Sequence, residues 1–264
     1  MSGTVSALAM GCMAAAALVC VAIPLLLLFY YKKKGAQVLP FFVGCAVFVL
    51  FALILESLMH QLVLKVLPMG EKIMGNTLLY ALYGGLAAGV FEETGRFLAF
   101  KTVLKNKRDN DRNGLMYGAG HGGIEAVLLL SATYASYVVM GIMMNMGLTD
   151  KLTAGLTGAM ADQMQTVFTA IAAMTPLTCL LAIVERCAAM TTHVSLSVLV
   201  WFAAKKSGKL WLFPLAILLH AAMDGVTVIL ASRLSVVAVE GCLVVMALLL
   251  ALVARTVWKR NAEL

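Results

Sequence analysis

Apolar residues in this chain come in unbroken runs, not in the spaced stripes of surface helices, and each run is long enough to cross a bilayer. At ~20 apolar residues per crossing, the runs predict about seven helical spans, at residues 5–30, 38–67, 75–102, 113–144, 175–204, 210–232 and 236–258. Turn chemistry separates them: Lys34-Gly35, Pro68-Met69-Gly70, the polar stretch from Lys105 to Asn113, Ser207-Gly208 and Arg233. Residues 145–174 break the pattern. Asn145, Asp150, Lys151, Asp162, Gln163 and Gln165 make this region too polar to cross, so a loop and an interfacial helix are expected there. The expected fold class is all-α, a polytopic transmembrane helical bundle. No internal repeat or low-complexity tail interrupts it, so residues 1–264 are expected to form a single membrane-embedded domain.

Composition agrees with that pattern. A chain 62% hydrophobic with a mean hydropathy of +0.96 is not a soluble domain. Its net charge of +7 invites a nucleic-acid reading, but the basic residues sit in short clusters between apolar runs. Lys32, Lys33, Lys34, Lys101, Lys105, Lys107, Arg108, Arg112, Lys205, Lys206, Lys209, Arg255, Lys259 and Arg260 all fall on one side of the predicted membrane. Only Lys65, Lys72, Lys151 and Arg233 fall on the other. By the positive-inside rule the N-terminus is outside and the C-terminus cytoplasmic. The first run lacks a basic leader and ends in Lys32-Lys33-Lys34, as a retained span does. Cys12, Cys20, Cys45, Cys179, Cys187 and Cys242 lie in apolar stretches without CxxC or zinc-type spacing, so they are expected to pack and not to ligate.

Against this background the polar residues inside the spans stand out. Phe91-Glu92-Glu93-Thr94-Gly95-Arg96 places two carboxylates and a guanidinium at membrane depth. Each costs at least ~2.5 kcal/mol there, and such residues are usually paired and functional. Glu92 and Arg96 share a helix face, and Glu93 flanks Arg96 three residues away. One Arg neutralises one Glu, which leaves the other as a base or a ligand. The bland alternative is an ion pair that locks two helices.

Further sites follow. The fourth span carries Gly118-Ala119-Gly120-His121-Gly122-Gly123-Ile124-Glu125, with His121 and Glu125 four apart. Its small residues also suit a GxxxG-like packing face. The fifth carries Glu185, Arg186 and His193, and the sixth His220 and Asp224, again four apart. Counted at ~1.5 Å per residue from the basic flanks, Glu92, His121, His193 and His220 all lie roughly 12–18 Å from the cytoplasmic ends of their helices. A shared depth is what one buried site built from four helices requires. Glu56 and His60 of the second span, and Arg186, lie further out, and Glu56 with Arg186 suggests a structural bridge. Two Glu, three His and an Asp in one layer suit hydrolysis, with a carboxylate as base and the others orienting water, stabilising an oxyanion or holding a metal.

Glu92-Glu93-x-x-Arg96, the His-bearing fourth span, Arg186 with His193, and His220-x-x-x-Asp224 resemble the superfamily of type II CAAX prenyl endopeptidases, bacteriocin-immunity proteins and PrsW-type proteases. Within it the chain is most similar to the YhfC branch of bacterial intramembrane metalloproteases. The resemblance implies a catalytic core at about 75–232, flanked by spans 5–30, 38–67 and 236–258. It implies Glu92, His121, His220 and Asp224 as the catalytic set, with Glu93 beside them because either Glu can face the site. Arg96, Glu125 and His193 are auxiliary in that scheme. The candidate metal ligands are Glu92, His121, His193, His220 and Asp224; Zn²⁺ would suit them, and a metal-free glutamate mechanism stays open. Two departures matter. Prenyl endopeptidases read EExxxR where Arg96 here stands one residue nearer, and their last motif ends in Asn where this chain has Asp224.

The expected function is therefore an intramembrane protease of the bacterial plasma membrane. It would act on a membrane-embedded or membrane-adjacent protein or peptide, in contact with the lipid bilayer and not with nucleic acid. A proton- or metal-coupled transporter would use similar Glu/Asp/His chains, but no inverted repeat is visible. A di-haem carrier on His121, His193 and His220 leaves the carboxylates unexplained. A catalytically silent immunity or scaffold protein is the remaining alternative.

Overall fold

The computed structural model describes residues 4–263. They form α1 (Ala7–Lys33), α2 (Leu39–Val66), α3 (Met69–Met74), α4 (Thr77–Lys101), α5 (Arg112–Asn145), α6 (Thr149–Thr153), α7 (Ala159–Ala172), α8 (Pro176–Lys205), α9 (Leu212–Ala231) and α10 (Val236–Asn261). Among the described residues there is no strand. The expected spans are found as helices within a few residues of their expected ends. The polar stretch expected to break the pattern is α6 and α7, with Gly147, Gly155 and Gly158 at positive φ between and beside them.

The helix ends follow from local chemistry. Asn76 caps α4, its Oδ1 accepting from the backbone N–H groups of Leu78 (3.0 Å) and Leu79 (3.1 Å). Pro176 opens α8 where a missing N–H costs nothing, and Thr175 Oγ1 accepts from Thr178 N at 3.1 Å. Gly35 (φ 92°) and Gly208 (φ 76°) turn the chain after α1 and α8 in a conformation that side chains disfavour. The hydrogen bonding widens to π-type over Val49–Glu56 and Gln61–Val66 in α2 and over Val127–Ser131 in α5.

Among the described residues, six helices (α1, α2, α5, α8, α9 and α10) are long and apolar enough to cross a membrane. This is a multi-pass membrane protein. Helix α4 has 25 residues, so at ~1.5 Å per residue it is also long enough to cross. Glu92 and Glu93 make it more polar than the six.

The chain packs as two units. One comprises the residues up to Ala22 together with Ala126–Arg186. In it Val5 and Asn145 exchange two 2.8 Å hydrogen bonds, Ser131 Oγ donates to Ala17 O at 2.8 Å, and α7 buries Phe168 and Ile171.

The other unit comprises Ile23–Glu125 and the chain from Cys187 onward. Its core is Phe100, Leu104, Tyr117, Leu196, Leu199, Trp201, Phe202 and their neighbours. Buried Asp111 ties the basic end of this unit together. It accepts from Trp201 Nε1, from Lys205 Nζ and from the backbone N of Glu263, each at 2.8 Å. Asn113 adds a bond to the N–H of Gln37 and one to the carbonyl of Lys107, both 2.8 Å.

Missing side chains let the helices of this unit approach. A Cβ at Gly89 of α4 would lie 2.6 Å from the carbonyl oxygen of Ile217 in α9, and one at Gly118 of α5 would lie 2.7 Å from Val194 Cα in α8. The helices would have to part to admit either. Gly89→Ala should therefore cost about 1–3 kcal/mol through overpacking, read as a lower melting temperature in detergent. Gly84→Ala is the control, because a Cβ there meets nothing within 4 Å. Equal melting of the two variants would show that α4 and α9 are not in close contact.

Candidate metal centre

All the sequence-predicted site residues belong to the larger unit, on α4 (Glu92, Glu93, Arg96), α5 (His121, Glu125), α8 (His193) and α9 (His220, Asp224). Two of their helix pairs meet along glycine faces, which explains how short imidazoles and carboxylates reach each other. A Cβ at Gly122 would lie 3.1 Å from Met190 Cα and 3.2 Å from His193 Cβ. The rings of His121 and His193 are accordingly 4.8 Å apart, and those of His193 and His220 5.4 Å. The glycines around His121 thus serve packing and chemistry together.

The two adjacent carboxylates take different partners. Glu93 is fully buried; Arg96 Nη1 donates to both of its oxygens, and His220 Nδ1 lies 2.8 Å from its Oε1. The ion pair therefore uses the three-residue step along α4 and not the four-residue one. Glu92 is held by imidazoles only: its Oε2 is 2.7 Å from His121 Nε2 and 3.9 Å from His193 Nδ1. With no bond from Lys or Arg among the described residues, this buried carboxylate suits a proton, a protonated His or a bound cation as its partner.

His193 lies at the middle of the cluster. Arg96 Nη2 is 3.2 Å from its Nδ1, and Glu125 Oε2 is 2.5 Å from its Nε2. Arginine only donates, so Nδ1 must offer its lone pair and Nε2 must carry the hydrogen toward Glu125. The nitrogen facing Glu92 is therefore the one able to ligate. His121 is fully buried, and its second nitrogen, Nδ1, has no hydrogen-bond partner. The ring of Phe48, edge-on, and that of Tyr117, tilted, lie beside it at 5.3 and 6.0 Å.

One donor atom from each of Glu92, His121 and His193 lies within 4.8 Å of the other two. Two imidazoles and a carboxylate form a catalytic-zinc donor set when a fourth position stays open. The carboxylate of Glu125 behind His193 is the usual support for a ligating imidazole. The donor set, the tautomer forced on His193 and the unpartnered nitrogen of His121 all fit a metal ion. Binding through His193 Nδ1 would replace its bond from Arg96, since one lone pair serves one partner.

His220 and Asp224, also expected as ligands, lie on the other arm. His220 leans on Glu93, and its Nε2 is 3.5 Å from Asp224 Oδ2. Asp224 has the most exposed side chain of the set, at 46%. Glu56 pairs with His60 one turn further along α2 (3.1 Å), and Arg186 with its neighbour Glu185. Sequence reasoning ranked His193 below His220. Its central place arises from contacts with α4 and α5 that no spacing within α8 encodes.

A buried Glu/His/His centre inside a bundle of membrane-crossing helices defines the class of protein: a polytopic membrane protein with a candidate intramembrane metal site. Residues 19–248 match the YhfC intramembrane metalloprotease family, and the chain belongs to it. It is also 34% identical over 200 residues to the uncharacterised membrane protein YhfC of Bacillus subtilis (strain 168), covering 75% of this chain and 76% of that one. No solved structure matches it.

Arg96→Ala should be among the most damaging single changes. It leaves Glu93 buried and uncompensated, and breaking such a pair costs about 3–5 kcal/mol. Arg96→Lys keeps the charge but cannot span Glu93 and His193 at once, so its loss should be smaller but measurable. Unchanged thermal unfolding of Arg96→Ala in detergent would contradict this ion pair.

Proposed function

We propose that this protein hydrolyses peptide bonds within or beside the membrane, with Glu92, His121 and His193 holding a divalent metal, Zn²⁺ by its donor preference. The observation that carries this reading is the meeting of three buried ligand atoms from three helices, in a chain whose family is described as intramembrane metalloproteases. When bound, such a metal lowers the pKa of a water and polarises a carbonyl. The protein's own residues supply the rest. Glu125 holds the His193 tautomer, and Arg96 keeps Glu93 ionised. Glu93 in turn orients His220 through Nδ1, leaving Nε2 with Asp224 to hold or pass a proton. Packed aromatic rings at Phe48 and Tyr117 keep bulk water from the His121 side.

On the same reading the Lys/Arg-rich loops are cytoplasmic, α4 completes seven crossings, and the centre lies in the cytoplasmic half of the bilayer. We group the chain with the CAAX endopeptidases and PrsW-type proteases on its Glu92-Glu93-x-x-Arg96 and His220-x-x-x-Asp224 motifs. Reporter fusions after Arg260 and within 150–165 should report opposite sides of the membrane; both on one side would remove a crossing.

Metal analysis of the purified protein tests the centre. Parent protein should hold about one zinc per chain, the count a single three-ligand site accepts. His121→Ala/His193→Ala should lose it while helix content stays unchanged. Glu92→Gln keeps the shape but removes the anionic ligand, so peptide hydrolysis in proteoliposomes should fall by at least ~10-fold, the low end of the loss that even a supporting residue of a metal site causes. Metal retained by the double variant would overturn the assignment. Proton or metal flux across the same liposomes without hydrolysis would favour a transporter.

A further inference from the structure

Asp224 presents a problem of solvation. It lies in the interior of α9, one turn beyond His220, yet 46% of its side chain is exposed. A carboxylate facing lipid at that depth costs at least ~2.5 kcal/mol, so ionisable residues inside membranes face protein or a water-filled cavity. The exposed face of Asp224 opens into a cavity of about 350 Å³ walled also by His60, Tyr80, Tyr83 and Gly84.

The cavity wall is largely apolar but carries several polar groups. His60 Nδ1 is 2.9 Å from Tyr83 Oη, and His60 Nε2 is 3.1 Å from the buried carboxylate of Glu56. At ~30 Å³ per molecule, a space of that size holds on the order of ten waters, and these polar groups can anchor them. Its position is one-sided. On α4, Tyr80 to Gly84 precede Glu92 by roughly 12–18 Å along the helix, away from Lys101. On α9, Asp224 follows His220 in the direction away from Lys209, and on α2 His60 lies near the end remote from Lys32–Lys34. The cavity and the basic loops are thus on opposite sides of the buried cluster.

We propose that this cavity is the aqueous vestibule of the centre, bringing water to it from the membrane face opposite the Lys/Arg-rich loops, with Asp224 at the junction. It rests on the hydrolytic reading for its purpose. Its own test requires neither bound metal nor activity, so the two can fail separately.

The test uses thiols at two positions of α4. Gly84→Cys places a thiol in the cavity without a clash, since a Cβ there meets nothing within 4 Å. Leu82→Cys stands at nearly the same depth on the exposed apolar face of the helix. Right-side-out and inside-out vesicles are treated with a charged, membrane-impermeant methanethiosulfonate. Modification is read by peptide mass spectrometry at position 84 or 82, which removes interference from the native cysteines. Only a hydrated thiol ionises readily, and one unit of desolvation shift lowers the thiolate fraction tenfold, so position 84 should react at least about ten times faster than 82. It should do so only from the face opposite the basic loops. Val228→Cys, on the same cavity, should behave like Gly84→Cys and covers a failure of that variant to fold. Reaction at 84 and 228 no faster than at 82, or only from the basic face, would overturn the proposal.

Discussion

Arg96 carries a permanent charge with no exposed surface, so water cannot screen it and the protein has to answer it. Glu93 supplies the counter-charge, His193 accepts from the second guanidinium nitrogen, and the ring of Tyr117 lies 6.0 Å from the guanidinium carbon. Its Nε finds no hydrogen-bond partner. This one arrangement fixes three things at once: which glutamate is a structural anion, which nitrogen of His193 carries the proton, and where His220 docks. The remaining carboxylate, Glu92, is left among imidazoles. With no bond from Lys or Arg among the described residues, that carboxylate suits a proton or a cation.

Close helix contact is the second constraint. In lipid no hydrophobic force draws helices together, so small residues that permit backbone approach do much of that task. Gly89 against Ile217 and Gly118 against Val194 are such contacts, and they flank the ionisable residues along α4 and α5. The imidazoles are short, and ring separations of 4.8 and 5.4 Å need backbones nearer than larger side chains would allow. Packing and chemistry are therefore carried by the same short stretches of chain.

The solvation of the cluster is uneven. His121 and Glu93 are sealed, whereas Asp224 is half exposed and meets a cavity that His60 and Tyr83 also line. The cluster thus has a sealed side, where electrostatic interactions are strong, and a more open side at Asp224. At the opposite end of the same unit, Asp111 and Asn113 stitch the polar loop to α8 and to the residues after α1 and α10, which closes the basic face with direct hydrogen bonds.

The sequence by itself determined the long helices, because a run of ~20 apolar residues has few other ways to satisfy its backbone than as a membrane-crossing helix. It also singled out Glu92, Glu93, Arg96, His121, His193, His220 and Asp224 as residues costly inside apolar runs, and the shared depth of Glu92, His121, His193 and His220 pointed to one layer. What it left open was pairing. Spacing along α4 put both glutamates within reach of Arg96, and only the approach of α9 and α5 decided that Glu93 joins His220 while Glu92 joins His121. The promotion of His193 to the centre, and the link from Asp224 through a cavity to His60 and Tyr83, were likewise settled by contacts between helices far apart in the chain. Periodicity within a helix fixes the face on which a residue lies. Which face of which other helix meets it is decided by packing, and only the folded structure contains that information.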